Sequence, residues 1–332
     1  MQRCAFCAKI PLTLYKYFAE DMSSSKLLPA VMLCLVLWSC DRPRYVSFSG
    51  FAQGGTWTVK ANLRGVGVRP ERIQTAIDSI LITIDTTLSG YNPASQLSRF
   101  NAGEPVVKSP CFLEVEALSE HYRELSGGAF DAAAGPLFDI WGFGFKTDSL
   151  PDADRVSEAM ALSREGKVLN FNAIAQGYTA DCVASYLKGI GVRDMLVDIG
   201  EIWCCGLNPA GKGWTIGIDT PADGNNVPGA SISGVWESDG GPHGVVTSGN
   251  YRKFYVRDGV KYSHTIDPRT GYPVSHSLLS ATVVAPTAAE ADALATVFMV
   301  VGFGEAREFV LSHEGLEACL ITSEEIWRSP GF

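Results

Sequence analysis

Histidine is scarce in this chain: the five histidines are His121, His243, His264, His276 and His313, and none stands at an HExxH or other metal-ligand spacing. A zinc site built on histidine is therefore not expected. The nine cysteines form no paired CxxC framework, and an odd number cannot all pair internally. Disulfides are not expected to hold the body together, and adjacent Cys204 and Cys205, in an apolar stretch, read as small buried hydrophobes. No repeat of fixed period and no long Pro/Ser linker occurs. Positive charge is in the minority, with 27 Lys and Arg against 36 Asp and Glu for a net −9, and the basic residues after Cys40 are scattered. Such a chain offers nucleic acid no basic stripe. What is present, 46% hydrophobic and 19% charged residues, is the composition of a globular protein and excludes collagen, a coiled coil and a disordered tail.

The amino-terminal region carries its own signal. From Met22 the chain runs through Lys26 into an apolar stretch, Leu27–Trp38, followed by Ser39 and Cys40. The stretch is shorter than the about 20 residues that cross a bilayer, and it suits the apolar core of a secretory signal peptide. Leu37-Trp38-Ser39-Cys40 resembles a bacterial lipobox, with Trp38 where a smaller residue is usual. We read residues 1–39 as leader and signal peptide, with Met22 as an alternative start, and Cys40 as the lipidation site. The protein is accordingly expected on the periplasmic side of the bacterial inner membrane, held by its lipid. Residues 40–50 read as a tether and 51–332 as the domain.

Within the domain, Thr56–Val59 alternates as a strand, and Ile73, Ile77, Ile80, Leu81, Ile84 and Leu88 recur at helical spacing until Gly90 and Pro93. Helices are expected over Leu113–Ser126, Gln176–Leu187 and Ala288–Gly302. Strands are expected over Met195–Ile199, Trp214–Ile218, Val245–Thr247, Lys253–Val256 and Ala281–Val284. The elements mix without a regular βαβ beat, which points to an α+β fold. Gly206 to Gly213 nearly spells a phosphate-binding loop, but it lacks the Ser/Thr and runs into a strand, so it reads as a turn. Gly65-Val-Gly67 and Gly302-Phe-Gly304 lack the third glycine of a dinucleotide fingerprint.

Two segments carry chemistry. Thr287-Ala-Ala-Glu290 is a capping box, and it places Asp292 and Thr296 one turn apart on one face of the late helix. A carboxylate and a hydroxyl so placed are hard oxygen donors suited to magnesium. The same spacing also serves a solvated Asp and a Thr bonding back to its own helix. In Leu169–Asp181 a strand is expected to end and a helix to begin, where free backbone N–H groups could receive phosphate. An ordinary Asn-capped helix start is the alternative.

Seven segments in order resemble the FAD:protein FMN transferases, the ApbE family. They are Gly54–Trp57, Ser89–Asn101, Ser126–Asp131 with Trp141-Gly-Phe143, Leu169–Tyr178, Thr247–Tyr251, Tyr262–Gly271 and Ala291–Thr296, and they span nearly all of the chain from Gly54 to Gly302. The resemblance implies a single α+β domain of two lobes with mixed sheets and an FAD site in the cleft between them. It implies an enzyme of protein flavinylation that binds FAD and Mg2+, moves FMN onto a Thr of an exported flavoprotein, and releases AMP. Carried over by position, the metal falls to Asp292, Thr296 and the carbonyl of Ala173. FAD contacts fall to Gln53, Tyr91, Ala129, Phe130, Asp131, Asn170, Gln176 and Ile266. His264 is the candidate general base, with Asp292 as the second catalytic residue.

Three positions depart from the family's habit: Gln53 replaces Met, Gln176 replaces Lys or Glu, and Asn170 replaces Asp. Lost charge beside a pyrophosphate leaves hydrolysis of FAD to FMN and AMP as an alternative activity, a hydrolase reading. A non-catalytic flavin-binding lipoprotein is the alternative from another class. The acceptor signature Asp-x-x-(Ser/Thr)-Gly-Ala-Thr does not occur in this chain, so the chain reads as the enzyme and the acceptor as its partner.

Overall fold

The computed structural model describes residues 44–144, 150–222, 225, 229–251, 254–257 and 259–332. The leader, the apolar run and Cys40 lie outside the described residues, as does Lys253 of an expected strand. The strands are β1 (Tyr45–Ala52), β2 (Gly55–Asn62), β3 (Met195–Asp198), β4 (Ile202–Cys205), β5 (Thr215–Asp219), β6 (Ile232–Glu237) and β7 (His243–Gly249). They continue as β8 (Phe254–Arg257), β9 (Val260–Ser263), β10 (Ile266–Asp267), β11 (Tyr272–Pro273), β12 (Leu278–Ala285), β13 (Glu317–Thr322) and β14 (Ile326–Arg328). The helices are α1 (Pro70–Leu88), α2 (Gln96–Asn101), α3 (Pro110–Leu125), α4 (Gly135–Ile140), α5 (Ala153–Arg164), α6 (Ala175–Gly189), α7 (Ala288–Val301) and α8 (Phe303–Ser312). A 3-10 turn, Ala132–Ala134, precedes α4.

An eight-stranded sheet in the order β1-β2-β3-β4-β7-β12-β13-β14 is the frame. Each of its pairs is antiparallel, as are the β5–β6, β8–β9 and β10–β11 hairpins. The α+β class holds, but the mixed sheets expected from the resemblance give way to antiparallel ones. For β1 and β2 the reason lies in the connection: only Gln53 and Gly54 separate them, and so short a link cannot carry a parallel crossover. Both turn residues have positive φ, 51° and 81°, the geometry of a hairpin turn that matches strand twist.

Period-2 alternation sends side chains to two buried faces. Trp203, Val246, Val283 and Leu320 meet the helices, whereas Cys204, Val245 and Val284 meet Trp214, Ile216 and Trp236 of the β5–β6 side. Cys204 is thus the small buried hydrophobe expected, whereas Cys205 is only half-buried, its thiol donating to the carbonyl of Arg193 at 3.0 Å; Cys111, Cys182, Cys204, Cys205 and Cys319 are free thiols. Helices α1 and α6 cover β1–β3 through Ile73, Ile77, Leu81, Val183 and Leu187. Helix α7 is buried on nearly every side, from Ala288 to Val300. It is a core helix, and the face that carries Asp292 is enclosed like the rest.

The domain start is also corrected. Residues 45–50, assigned to the tether, belong to β1: Tyr45 to Phe51 pair residue for residue with Asn62 to Thr56, and Phe48 is buried. The helices α2, α4, α5 and α8 had not been expected, and α4 falls where residues 130–145 read as a loop rich in Gly and aromatics. α2 and α4 are only six residues long, and α5 is too polar to show a strong apolar stripe.

Candidate active site

The site is assembled by the ends of elements. Twelve positions were expected to bind ligand, metal or proton. Of these, Tyr91, Ala129, Phe130, Asp131, Asn170, Ala173, His264, Ile266, Asp292 and Thr296 line one cleft of about 470 Å³. Gln53 and Gln176 line an adjoining one of about 550 Å³. Tyr91 and Asn172 line both, and the Asn172 side-chain amide lies 3.3 Å from the Tyr91 hydroxyl. The result is a two-chambered groove with chambers of a size suited to a small ligand.

One wall follows from α3. The helix ends at Ser126, Gly127 and Gly128 take positive φ of 58° and 85°, and the chain reverses into Ala129–Asp131. Asp131 caps the 3-10 turn by accepting from the amide of Ala133 at 2.8 Å, and burial raises its carboxyl above the usual range. The amide of Asn170 donates to the carbonyl of Ala132 at 2.7 Å, tying this wall to the loop before α6. Asn101 brackets that loop with two 2.8 Å bonds to the backbone of Leu169.

This loop corrects the sequence reading. Leu169–Phe171 form no strand, and α6 has Ile174 at its N-cap without a side-chain bond. Asn170 instead accepts from the amide of Asn172 at 2.9 Å, a local turn. Helix α6 receives its partner from far away: the amide of Gly177 donates to Asp292 Oδ2 at 3.0 Å. That amide lies in the first turn of α6, ahead of the first intrahelical bond from Tyr178 to Ile174, so it has no acceptor within its own helix and a carboxylate of α7 supplies one.

Asp292 is 5% exposed, which removes the solvated alternative. Burial raises its carboxyl well above the usual range, and the nearby charge of Asp181 adds to the rise. A carboxylate so placed, with one backbone amide as its hydrogen-bond donor, is suited to a cation. Thr296 stands one turn on and Ala173 lines the same cleft, so the three residues assigned a carboxylate, a hydroxyl and a carbonyl oxygen share one space. Among the described residues no three His, Cys, Asp or Glu come together, so any cation here would rest on this mixed oxygen set. Hard oxygens in small number fit magnesium, which keeps water and phosphate in its remaining positions.

His264 lies between β9 and β10, with its ring edge-on to Phe143 at 6.3 Å between centroids. Phe143 stacks on Tyr255, and Tyr255 on Tyr262, at 5.2 and 5.3 Å. In the second chamber Gln53 donates to Thr179 Oγ1 at 2.8 Å, and Gln176 Nε2 reaches the carbonyl of Ile199 at 3.4 Å. Gln53 holds its left-handed φ as the first residue of the β1–β2 turn.

Sequence reasoning missed Glu201, Asn172, Phe254 and Met299 as lining residues. Glu201 follows the positive-φ Gly200 in the link between β3 and β4, where a charged residue ordinarily reads as a solvated turn, so nothing marked it.

The family model of the ApbE family matches residues 53–320. The FAD:protein FMN transferase of Vibrio cholerae serotype O1 is 35% identical over 298 residues, covering 83% of this chain and 87% of that protein. The FAD:protein FMN transferase of Escherichia coli strain K12 is 32% identical over 317 residues, covering 85% and 87%. Among solved structures, the flavin transferase ApbE from Vibrio cholerae superposes with a TM-score of 0.76 at 30% identity, over 87% of this chain and 98% of that one. The apo flavinyl transferase ApbE of Pseudomonas stutzeri superposes with a TM-score of 0.75 at 32% identity, over 87% and 96%.

Proposed function

The chain belongs to the ApbE family, and from that premise we propose that it is a magnesium-dependent FAD:protein FMN transferase that joins FMN to a Thr hydroxyl of an acceptor protein and releases AMP. The observation that carries this reading is the convergence of Ala173, Asp292 and Thr296 with His264 and the FAD-assigned positions on one groove. The two chambers give a dinucleotide room for its two heads, and Tyr91 offers a ring face between them. Bound at Asp292, Thr296 and Ala173, magnesium would neutralise charge on the pyrophosphate and on departing AMP. His264 takes the proton of the acceptor hydroxyl as that oxygen attacks the phosphorus on the FMN side. The bond to the bridging oxygen breaks, and AMP leaves with it. Half-buried Asp131 would accept hydrogen bonds from ligand donors, and Ile266 would close the apolar side.

Asn170 and Gln176 bring no charge to the phosphates, and each is engaged with backbone, which favours hydrolysis of FAD when no acceptor is docked. The deciding experiment mixes the protein with FAD, Mg2+ and an acceptor carrying Asp-x-x-(Ser/Thr)-Gly-Ala-Thr, then weighs the acceptor by mass spectrometry. A gain of one FMN on the Thr is expected. Released AMP with an unmodified acceptor would leave a pyrophosphatase, and no AMP at all a flavin carrier. We also propose that lipid on Cys40 holds the enzyme on the periplasmic side of the inner membrane. Cys40→Ala should move it from the detergent phase to the aqueous phase, and identical partitioning would refute the anchor.

A further inference from the structure

Two helix starts meet beneath the metal-side chamber, and each is satisfied by a carboxylate of the other helix. Asp292 of α7 accepts from Gly177 of α6 at 3.0 Å. In return, Asp181 of α6 accepts from the amides of Ala288 and Ala289, at 2.9 Å on Oδ1 and 2.8 Å on Oδ2. Thr287 accepts from Glu290 at 3.2 Å, so three successive amides of the first turn of α7 have side-chain acceptors. The backbones touch as well. A Cβ on Gly177 would lie 2.2 Å from the carbonyl oxygen of Ala288, and one on Gly244 would lie 2.4 Å from its nitrogen and Cα. Ala288 is therefore wedged between α6 and β7, and Asp181 supplies the polar bonds that hold it there.

We propose that Asp181 is a positioning residue for the magnesium site: by clamping the first turn of α7 to α6, it sets where Asp292 and Thr296 stand relative to the Ala173 carbonyl. The proposal rests on the metal reading above. Magnesium demands near-ideal octahedral geometry at about 2.0–2.1 Å, so a small slide of one helix against the other spoils the set. Asp181 is absent from the residues lining the groove, and it acts through the backbone of α7. Its carboxylate uses one oxygen for each amide, so an isosteric amide cannot replace it. In Asp181→Asn one acceptor remains, and the side-chain NH2 faces a backbone N–H.

The test reads magnesium binding apart from turnover. FAD fluorescence quenching is followed in a stopped-flow instrument, before reaction, as Mg2+ is titrated into wild type, Asp181→Asn, Asp181→Glu and Asp152→Ala. Asp152 caps α5 by accepting from Arg155 at 2.9 Å, away from the groove, and serves as a cap-loss control. Asp181→Asn should raise the half-saturating Mg2+ concentration about 10-fold or more, the usual effect of losing a residue that orients a ligand. Its kcat at saturating Mg2+ should stay within about twofold of wild type. Asp181→Glu, which keeps both acceptors at a longer reach, should fall between and cover the case in which the Asn variant does not fold. Asp152→Ala should lower the melting temperature and leave the magnesium dependence alone. Lowered melting temperature with unchanged magnesium dependence in both Asp181 variants would overturn the proposal while the metal reading stands. Absence of any magnesium dependence in wild type would overturn the metal reading, and the proposal with it.

Discussion

The two chambers of the groove are built on different principles. The chamber around Asp292 is walled by buried groups: Phe130, Ile266 and Met299 are at most 2% exposed, and the helices behind it touch through Gly177 with no room for a methyl group. The chamber around Gln53 is edged by a hairpin turn with exposed Gly54, and Tyr91, which is 68% exposed, stands where the two chambers meet. Rigid packing fixes oxygen donors to the tolerance that phosphoryl chemistry requires, whereas an open rim can admit a ligand and then close upon it by side-chain rotation. The comparison teaches that damage on the buried side should strike turnover, and damage on the open side should strike affinity.

Asp292→Ala gives the strongest contrast. With the sole carboxylate of the metal set removed, AMP release at limiting Mg2+ should drop by more than about 100-fold, beyond what loss of an outer orienting group costs. Unchanged release would dissolve the distinction between the chambers. His264→Ala should slow transfer to the acceptor by about 100-fold while FAD affinity, read by fluorescence titration, stays within about twofold, because a base acts on the attacking hydroxyl and not on bound FAD.

Gly177→Ala tests rigidity itself. The added Cβ meets the Ala288 backbone, so the helices must part, and a loss of about 1–3 kcal/mol in denaturant unfolding is expected together with weakened Mg2+ dependence. On the open side, Tyr91→Ala should weaken FAD binding by about 0.5–1.5 kcal/mol, the scale of one aromatic contact, with kcat for bound FAD little altered. The smallest effect is a near-cancellation. Gln53→Gly relieves a left-handed backbone worth about 1 kcal/mol but loses the bond to Thr179, so stability should change by less than about 1 kcal/mol while FAD affinity falls.

Legibility followed range along the chain. Helix α1 is visible because Ile73, Ile77, Leu81, Ile84 and Leu88 recur at helical spacing, and all five are buried. The start of α7 is marked by Thr287, which does accept from Glu290. β1 was hidden because its residues Ser47, Ser49 and Gly50 look like linker, although pairing with β2 makes them a sheet edge. Asp181 was in view within the Leu169–Asp181 segment, yet its role depends on amides 107 and 108 positions further on. No local pattern encodes that distance.

The seven motifs, the one-turn spacing of Asp292 and Thr296 and the α+β mixture are properties of the sequence alone, because each is read from residues a few positions apart. The antiparallel frame, the burial of Asp292, the capping of the Gly177 amide by Asp292 and the exchange of carboxylates between α6 and α7 were decided only by the tertiary structure. Their common reason is that burial and long-range hydrogen bonding depend on which distant segments exclude water from one another. That exclusion turned Asp292 from a carboxylate that could have been solvated into one suited to a cation.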